Sequence, residues 1–382
     1  MIVYPLERKL SGASVLLTAS VYQTYPQRSR PTFVKLKSRP SDDKSASSQS
    51  AIALRDAVWC RSSLGIVLLI SAAALTRAEE NVATESHLPP AAEVIDLWPG
   101  APPAWVGTSE PERDTSDKHG PLVAGKSVIR LGHVSKPQLH VYPVDTGGPI
   151  GQSKSFASTM VIICPGGGYR ILAWDLEGTE IAERFNALGF SAAVVKYRVP
   201  TSETDQAWLP PVQDIQRAVS TLRSKANGEE AVYKRVGVIG FSAGGNAAAR
   251  VACTTGKRFY EPTDEIDQAN CNVDFAGLVY PWLMVADATK PRNDRNTPAG
   301  IIPDLNINAS TPPIFFAHAV DDPISCRNSS ELFSVLQSKG VPAELHIFAS
   351  GGHGFGARDK CLPIANWPKQ LASWLATLPT GQ

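Results

Sequence analysis

The sequence predicts an α/β fold: a mostly parallel central sheet with helices on both faces. Three observations lead there. Apolar runs of strand length alternate with segments of helical spacing through residues 159–376. Those runs are apolar throughout rather than every second residue, as strands covered on both faces require. No repeat of 20–50 residues interrupts the series, so the alternation reads as one α/β domain rather than a stacked array.

The elements come in order. "SVIRL" and "QLHVYPV" read as two strands joined by a short loop, an antiparallel pair that opens the sheet. "TMVIICPGGGY" is an apolar strand running into a glycine loop. "EGTEIAERFNALGF" is a helix, with Ile181, Ala182, Phe185 and Leu188 on one face and Gly189 as its stop. "SAAVVKYRV" is a strand. "PPVQDIQRAVSTLRSKA" is a helix facing inward with Ile215, Val219 and Leu222. "RVGVIGF" is a strand and "AGGNAAARVA" the helix after it. "DFAGLVYPWLM" and "PPIFFAHAV" are strands, "NSSELFSVLQSKG" a helix, "AELHIFAS" a strand and "NWPKQLASWLATL" a closing helix.

The catalytic-size domain is expected over residues 126–378, preceded by an extended Pro-rich lead-in over 79–125. Upstream, Arg61 precedes the apolar run Leu64–Leu75, and small residues lead to Ala78. A run of 12 residues is short for a bilayer span, which needs about 20. With its flanks it has the layout of a secretory signal peptide over 61–78, implying a secreted or periplasmic protein with no membrane attachment after cleavage. Residues 1–60, Ser-rich and basic without sustained period, are expected to be an extension outside the working protein, placed there by an early start codon. Basic and acidic residues number 37 and 36, a balance that gives nucleic acid no reason to bind. Cys164 ends a strand and reads as a buried thiol; Cys253 with Cys271, and Cys326 with Cys361, are possible disulfides in an oxidising compartment. Neither a CxxC pair nor a His/Cys cluster at zinc spacing occurs, so no metal or other cofactor is expected.

In open α/β sheets the reactive groups stand where strands end. The residues just past the predicted strands include Ser242, then Asp321 and Asp322, then Gly351, Gly352 and His353, with Gly166, Gly167, Gly168 and Tyr169 upstream. Serine, carboxylate and histidine occur in that chain order, with a glycine loop before them, as in a nucleophile elbow. A serine hydroxyl needs a base within reach, and His353 supplies an imidazole that titrates near neutrality. A carboxylate would hold that imidazole in its useful tautomer. Gly240 and Gly244 keep side chains out of the tight turn around Ser242. The Ala243 amide, at a helix start, and the amides of Gly167 and Gly168 are candidate donors to an oxyanion.

These motifs together resemble the α/β-hydrolase superfamily, and within it the secreted acetylxylan esterase-like and feruloyl esterase-like serine esterases. The carriers are "CPGGGYRILAWDLEG", "VVKYRVP", "PPVQDIQRAVSTLR", "VGVIGFSAGGNAAA", "PPIFFAHAVDDPIS" and "SGGHGFG", within residues 95–376. The resemblance implies the α/β-hydrolase fold and the set Ser242, Asp322 and His353. Asp322 rests on the family's pattern of an acid four residues after a histidine and before a proline; Asp321 is the alternative. The resemblance implies an oxyanion hole from the glycine loop and elbow. It also implies an ester substrate, an acetylated or feruloylated polysaccharide or oligosaccharide, with a small-molecule carboxylesterase as the alternative. A prolyl-oligopeptidase-type peptidase would need a propeller domain that residues 1–125 cannot supply, and a non-catalytic binding module would normally have lost a member of the triad. Two departures stand out: Asn246 replaces the usual histidine after the elbow, and Ala319 replaces the glycine after His318.

The remaining candidates have simpler readings. His318 and His346 are structural. Asp214 and Arg217, three apart on a helix, pair with loops. Tyr169 and Trp174 stack on a sugar or aromatic ring, or roof the pocket. Trp282 is a candidate pocket wall.

Overall fold

The computed structural model describes residues 90–104, 107–144, 156–225, 232–285, 300–358 and 363–379. The segment 61–78, residues 1–60, Cys60 and Cys361 lie outside these. Among the described residues, no helix is long and apolar enough to cross a membrane.

Among the described residues are eleven strands and five α-helices. The strands are β1 (Glu93–Asp96), β2 (Arg113–Asp114), β3 (Arg130–Gly132), β4 (Gln138–Tyr142), β5 (Thr159–Cys164), β6 (Ile171–Ala173), β7 (Ser191–Lys196), β8 (Arg235–Phe241), β9 (Phe275–Val279), β10 (Ile314–Ala319) and β11 (Ala343–Phe348). The helices are α1 (Glu180–Ala187), α2 (Leu209–Ser224), α3 (Ser242–Ala252), α4 (Arg327–Ser338) and α5 (Trp367–Leu375).

An eight-stranded sheet has the order β1-β4-β7-β5-β8-β9-β10-β11. From β7 to β11 every pairing is parallel, while β4 pairs antiparallel with both β7 and β1. Continuous apolar runs serve both faces at once. Met160, Ile162 and Cys164 of β5 join the core layer beneath α2, α3 and α4. Val161 and Ile163 join the opposite layer, with Phe185 of α1 and Trp367 and Leu371 of α5. Period-2 geometry thus divides one hydrophobic run between two cores.

The opening elements differ from expectation. The two early strands do not pair with each other. β3 sits in a separate three-stranded sheet between β2 and β6, whereas β4 pairs with β1. The residues of β1, "EVID", are mostly exposed and lack an apolar run, so their pairing comes from backbone hydrogen bonds on a sheet edge rather than from burial. The first crossover helix holds the spaced residues Ile181, Ala182 and Phe185, and only the front of the segment "EGTEIAERFNALGF" departs from it. Residues Asp175–Thr179 form a π-helical turn, and regular helix starts at Glu180.

The strand order positions the site. Chain leaving β5 crosses to β7 on one side, and chain leaving β8 crosses to β9 on the other. The sheet therefore reverses its winding between β5 and β8, and the crevice beyond their carboxyl ends is where such folds hold ligands.

Candidate active site

Two loops open that crevice. After β5, Pro165 to Tyr169 turn sharply, with Gly167 at φ +133°. A side chain there would collide with the backbone of Ile171. After β8, Ser242 adopts φ +50°, a left-handed conformation uncommon outside glycine, and opens α3. Close packing makes that corner possible. A Cβ on Gly244 would collide with the Cys164 and Pro165 carbonyls, and one on Gly240 with the Gly244 carbonyl. Glycine at these positions lets α3 start directly against the end of β5. Side chains there would force the serine out of the turn.

Three strand ends converge on Ser242. His353 Nε2 lies 3.0 Å from Ser242 Oγ. Its Nδ1 lies 2.8 Å from Asp322 Oδ2. Asp322 is fully buried, and its other oxygen accepts from the Ile324 amide at 2.6 Å. Burial opposes charge on Asp322, but hydrogen bonds from His318 and His353 hold its carboxyl below the ordinary value. Burial likewise opposes charge on His353. The Asp322 hydrogen bond and charge, with the Glu177 charge, outweigh it and raise the imidazole above its usual range. The His353 side chain keeps 28% exposure, so it stays reachable.

Asp321 is exposed and turned elsewhere: its Oδ1 accepts from the Gly352 amide at 2.8 Å, tying down the loop that carries His353. His318 is held by side chains and backbone alike. Its Nδ1 meets Ser329 Oγ at 2.8 Å and its Nε2 meets the Ile324 carbonyl at 2.9 Å, while Nε2 also stands 3.3 Å from Asp322 Oδ2. His346 pairs with Glu344 on β11, away from this chain of contacts.

The oxyanion candidates flank the serine. Ala243 is the second residue of α3, where no preceding helical carbonyl exists to receive its amide. Among the described residues, the amides of Gly167 and Gly168 have no intramolecular acceptor.

The aromatic candidates separate. The Trp282 amide donates to the Ser242 carbonyl at 3.0 Å, which holds the half-buried indole's segment beside the elbow. Tyr169 is 2% exposed and its hydroxyl donates to Asn246 Oδ1 at 2.9 Å, so its ring forms an inner wall rather than a face offered for stacking. Trp174 packs edge-on against His140 of β4, with ring centroids 4.9 Å apart. Among the described contacts none joins it to Ser242, His353 or Asp322.

Asn246, the departure after the elbow, is fully used. Its oxygen accepts from Tyr169 and from Arg250 Nε, and its amide donates to the Trp282 and Leu283 carbonyls. It knits the glycine loop to the segment after β9. Asp214 and Arg217 do pair with neighbouring segments: Asp214 with Arg198 just after β7, Arg217 with Asp264 and Asp267. Cys253 and Cys271 are buried, separate thiols rather than a disulfide. Among the described residues no cluster of His, Cys, Asp or Glu could hold a metal ion.

Glu177 and Tyr280 escaped the sequence reading. Glu177 is 3% exposed and accepts from the Gly166 amide at 2.8 Å and from the Tyr280 hydroxyl at 2.7 Å. A carboxylate set between Leu176 and Gly178 inside the glycine-loop motif was its one sequence signal.

A serine at a strained strand–helix corner is bonded through histidine to a buried carboxylate on a doubly wound sheet, the geometry of a nucleophile elbow. The chain has the α/β-hydrolase fold, and residues 149–336 match the BD-FAE family model. It is 26% identical over 234 residues to an acetylxylan esterase of Xylanibacter ruminicola, an alignment covering 57% of this chain and 45% of that protein. It is 26% identical over 208 residues to endo-1,4-beta-xylanase B of Butyrivibrio fibrisolvens, covering 51% of this chain and 32% of that one. The chain thus spans less than half the length of these relatives. Among solved structures, an acetyl ester-xyloside bifunctional hydrolase from Caldicellulosiruptor lactoaceticus matches with 25% identity and a TM-score of 0.54, over 76% of this chain and 98% of that one.

Proposed function

We propose that the protein is a serine esterase acting on acyl groups, acetyl or feruloyl, carried by a polysaccharide or oligosaccharide. The observation that carries this reading is the unbroken hydrogen-bond chain Ser242–His353–Asp322 at the elbow. Ser242 Oγ attacks the ester carbonyl while His353 Nε2 takes its proton. The carbonyl oxygen becomes an oxyanion that receives hydrogen bonds from the amides of Ala243 and of Gly167 or Gly168. Asp322 offsets the charge on the imidazolium. The tetrahedral adduct expels the alcohol, which leaves with the proton from His353, and an acyl-serine remains. Water then attacks the acyl carbonyl, His353 again relays a proton, and the acid departs from a restored Ser242. The chemistry calls for no cofactor. Trp282 lines the acyl or alcohol side, and the likeness to the Xylanibacter ruminicola acetylxylan esterase supports the carbohydrate ester. The 61–78 segment supports an exported enzyme.

The test is hydrolysis by the purified full chain of 4-nitrophenyl acetate, acetylated xylo-oligosaccharides and methyl ferulate. The reading predicts turnover of a carbohydrate acetyl or a ferulate ester. Turnover of 4-nitrophenyl acetate alone would point to a small-molecule carboxylesterase. An inert chain would overturn the esterase.

A further inference from the structure

Among the described residues, no cation pairs directly with Glu177. Its carboxylate is buried, and each oxygen receives a hydrogen bond from a fixed protein group: the Gly166 amide and the Tyr280 hydroxyl. The Tyr280 hydroxyl itself accepts from the Gly356 amide at 3.1 Å, so its own proton faces Glu177. With both oxygens accepting, the ionised form is the one the geometry satisfies. A buried charge of this kind is costly unless something compensates it. Burial accordingly raises the Glu177 carboxyl above its ordinary value, against the Tyr280 and Gly166 hydrogen bonds and any charge on His353, whose ring packs on Tyr280 with centroids 4.8 Å apart.

The connections converge on three parts of the site. Gly166 begins the loop that carries Gly167 and Gly168. Tyr280 directly follows β9, two residues before Trp282. Gly356 lies in the segment after His353, and its carbonyl is fixed by the Trp367 indole at 2.8 Å. A Cβ on Gly166 would press on Glu177 Oε2 at 2.6 Å and on Ser242 Cβ at 2.9 Å, so the carboxylate stands almost against the elbow.

We infer that Glu177 is a second carboxylate of this site: a positioning residue that locks the glycine loop and the His353 loop together through Gly166 and Tyr280, and places negative charge behind the imidazole. This rests on the esterase reading only for its effect on rate. The groups that bear on His353 are Asp322 at its Nδ1, His318 through Asp322, Glu177 and Tyr280. Asp175 and its partner Arg358 stand behind Glu177 with opposite charges, and Tyr197 donates to the Pro165 carbonyl nearby. Of these, Glu177 is the one whose charge no hydrogen-bonded cation already neutralises, apart from Asp322 itself. Losing it should therefore be felt at the imidazole.

The decisive experiment is a proton-NMR titration of the His353 ring in the full chain, with E177Q, E177D and Y280F, read beside kcat and KM on 4-nitrophenyl acetate. E177Q should lower the His353 midpoint by about half a pH unit or more and lower kcat at least about tenfold, with KM little changed. E177D keeps the charge and should hold the midpoint near wild type while kcat falls. Y280F removes one of the two donors and should move the midpoint downward by less. If E177Q does not fold, Y280F carries the test. A midpoint that neither E177Q nor Y280F moves overturns the inference, as does an E177D midpoint equal to that of E177Q. Because the titration needs no turnover, it decides the role of Glu177 even if S242A retains full activity and the esterase reading fails.

Discussion

Asp214, on α2, and Asp322, just past β10, are both fully buried carboxylates, and they do opposite things. Asp214 meets a permanent cation. Arg198 Nε contacts both its oxygens at 3.1 and 2.9 Å, the Arg198 amide adds a third bond at 3.0 Å, and the Trp98 indole a fourth at 2.8 Å. Arg198 goes on to the Pro103 and Pro210 carbonyls and Gln213, so the pair clamps the lead-in to α2. Asp322 instead meets two imidazoles, one of which, His353, goes on to Ser242 Oγ and can take its proton. The lesson is that burial of a carboxylate does not mark function. What its partner can do with a proton does.

The same atom exchange should therefore break the two regions differently. D322N would present an amide to His353 and favour the wrong tautomer. It should cut kcat on the order of 10⁴-fold with the fold retained, checked by steady-state kinetics beside circular dichroism. D214N would leave Arg198 buried without its counter-charge. It should cost about 3–5 kcal/mol in denaturant unfolding while the folded fraction keeps its specific activity. If D214N proved as stable as wild type but inactive, the contrast would collapse.

A pH profile sharpens the comparison. His353 must be neutral to take a proton, and its pKa stands above the ordinary imidazole value. The acid limb of kcat/KM should therefore have its midpoint above about 6.5, and in D322N the limb of the residual activity should move to lower pH. Stability obeys the same pairing. The His353 contribution is present below the unfolded imidazole value and lost as pH rises through the folded one. The contribution of Asp322, whose folded value is depressed, is lost as pH falls through it.

Smaller effects lie further out. D321N should lower kcat less than about tenfold, since Asp321 only tethers the Gly352 amide; its rate relative to D322N assigns the acid. H346A, on the outer strand β11, should leave activity unchanged and stability within about 0.5 kcal/mol.

Legibility in the sequence divides along the same line. Strands buried on both faces declare themselves by continuous apolar runs, and β5, β7, β8, β9 and β10 lie where those runs stand. The edge strand β1 does not, because an exposed "EVID" held by backbone bonds has no hydrophobic signature. The false pairing of β3 with β4 has the same origin: short, half-buried strands carry no register. At the site, residues at strand ends were readable because topology alone fixes where they stand. Glu177 and Tyr280 were not, since their meaning lies in partners more than a hundred positions apart in sequence. The aromatic candidates show the limit from the other side. Tyr169, Trp174 and Trp282 look alike in a motif, but only packing separates an inner wall, a β4 contact and a neighbour of the elbow.

The central claim is that Ser242 becomes the acyl carrier. The most direct measurement is rapid-quench intact-mass and peptide analysis of the full chain reacting with 4-nitrophenyl acetate, run beside S242A. The account predicts a single acetyl adduct on the peptide that holds Ser242, and neither adduct nor turnover in S242A. An adduct on another residue, or a turning-over S242A, would contradict it.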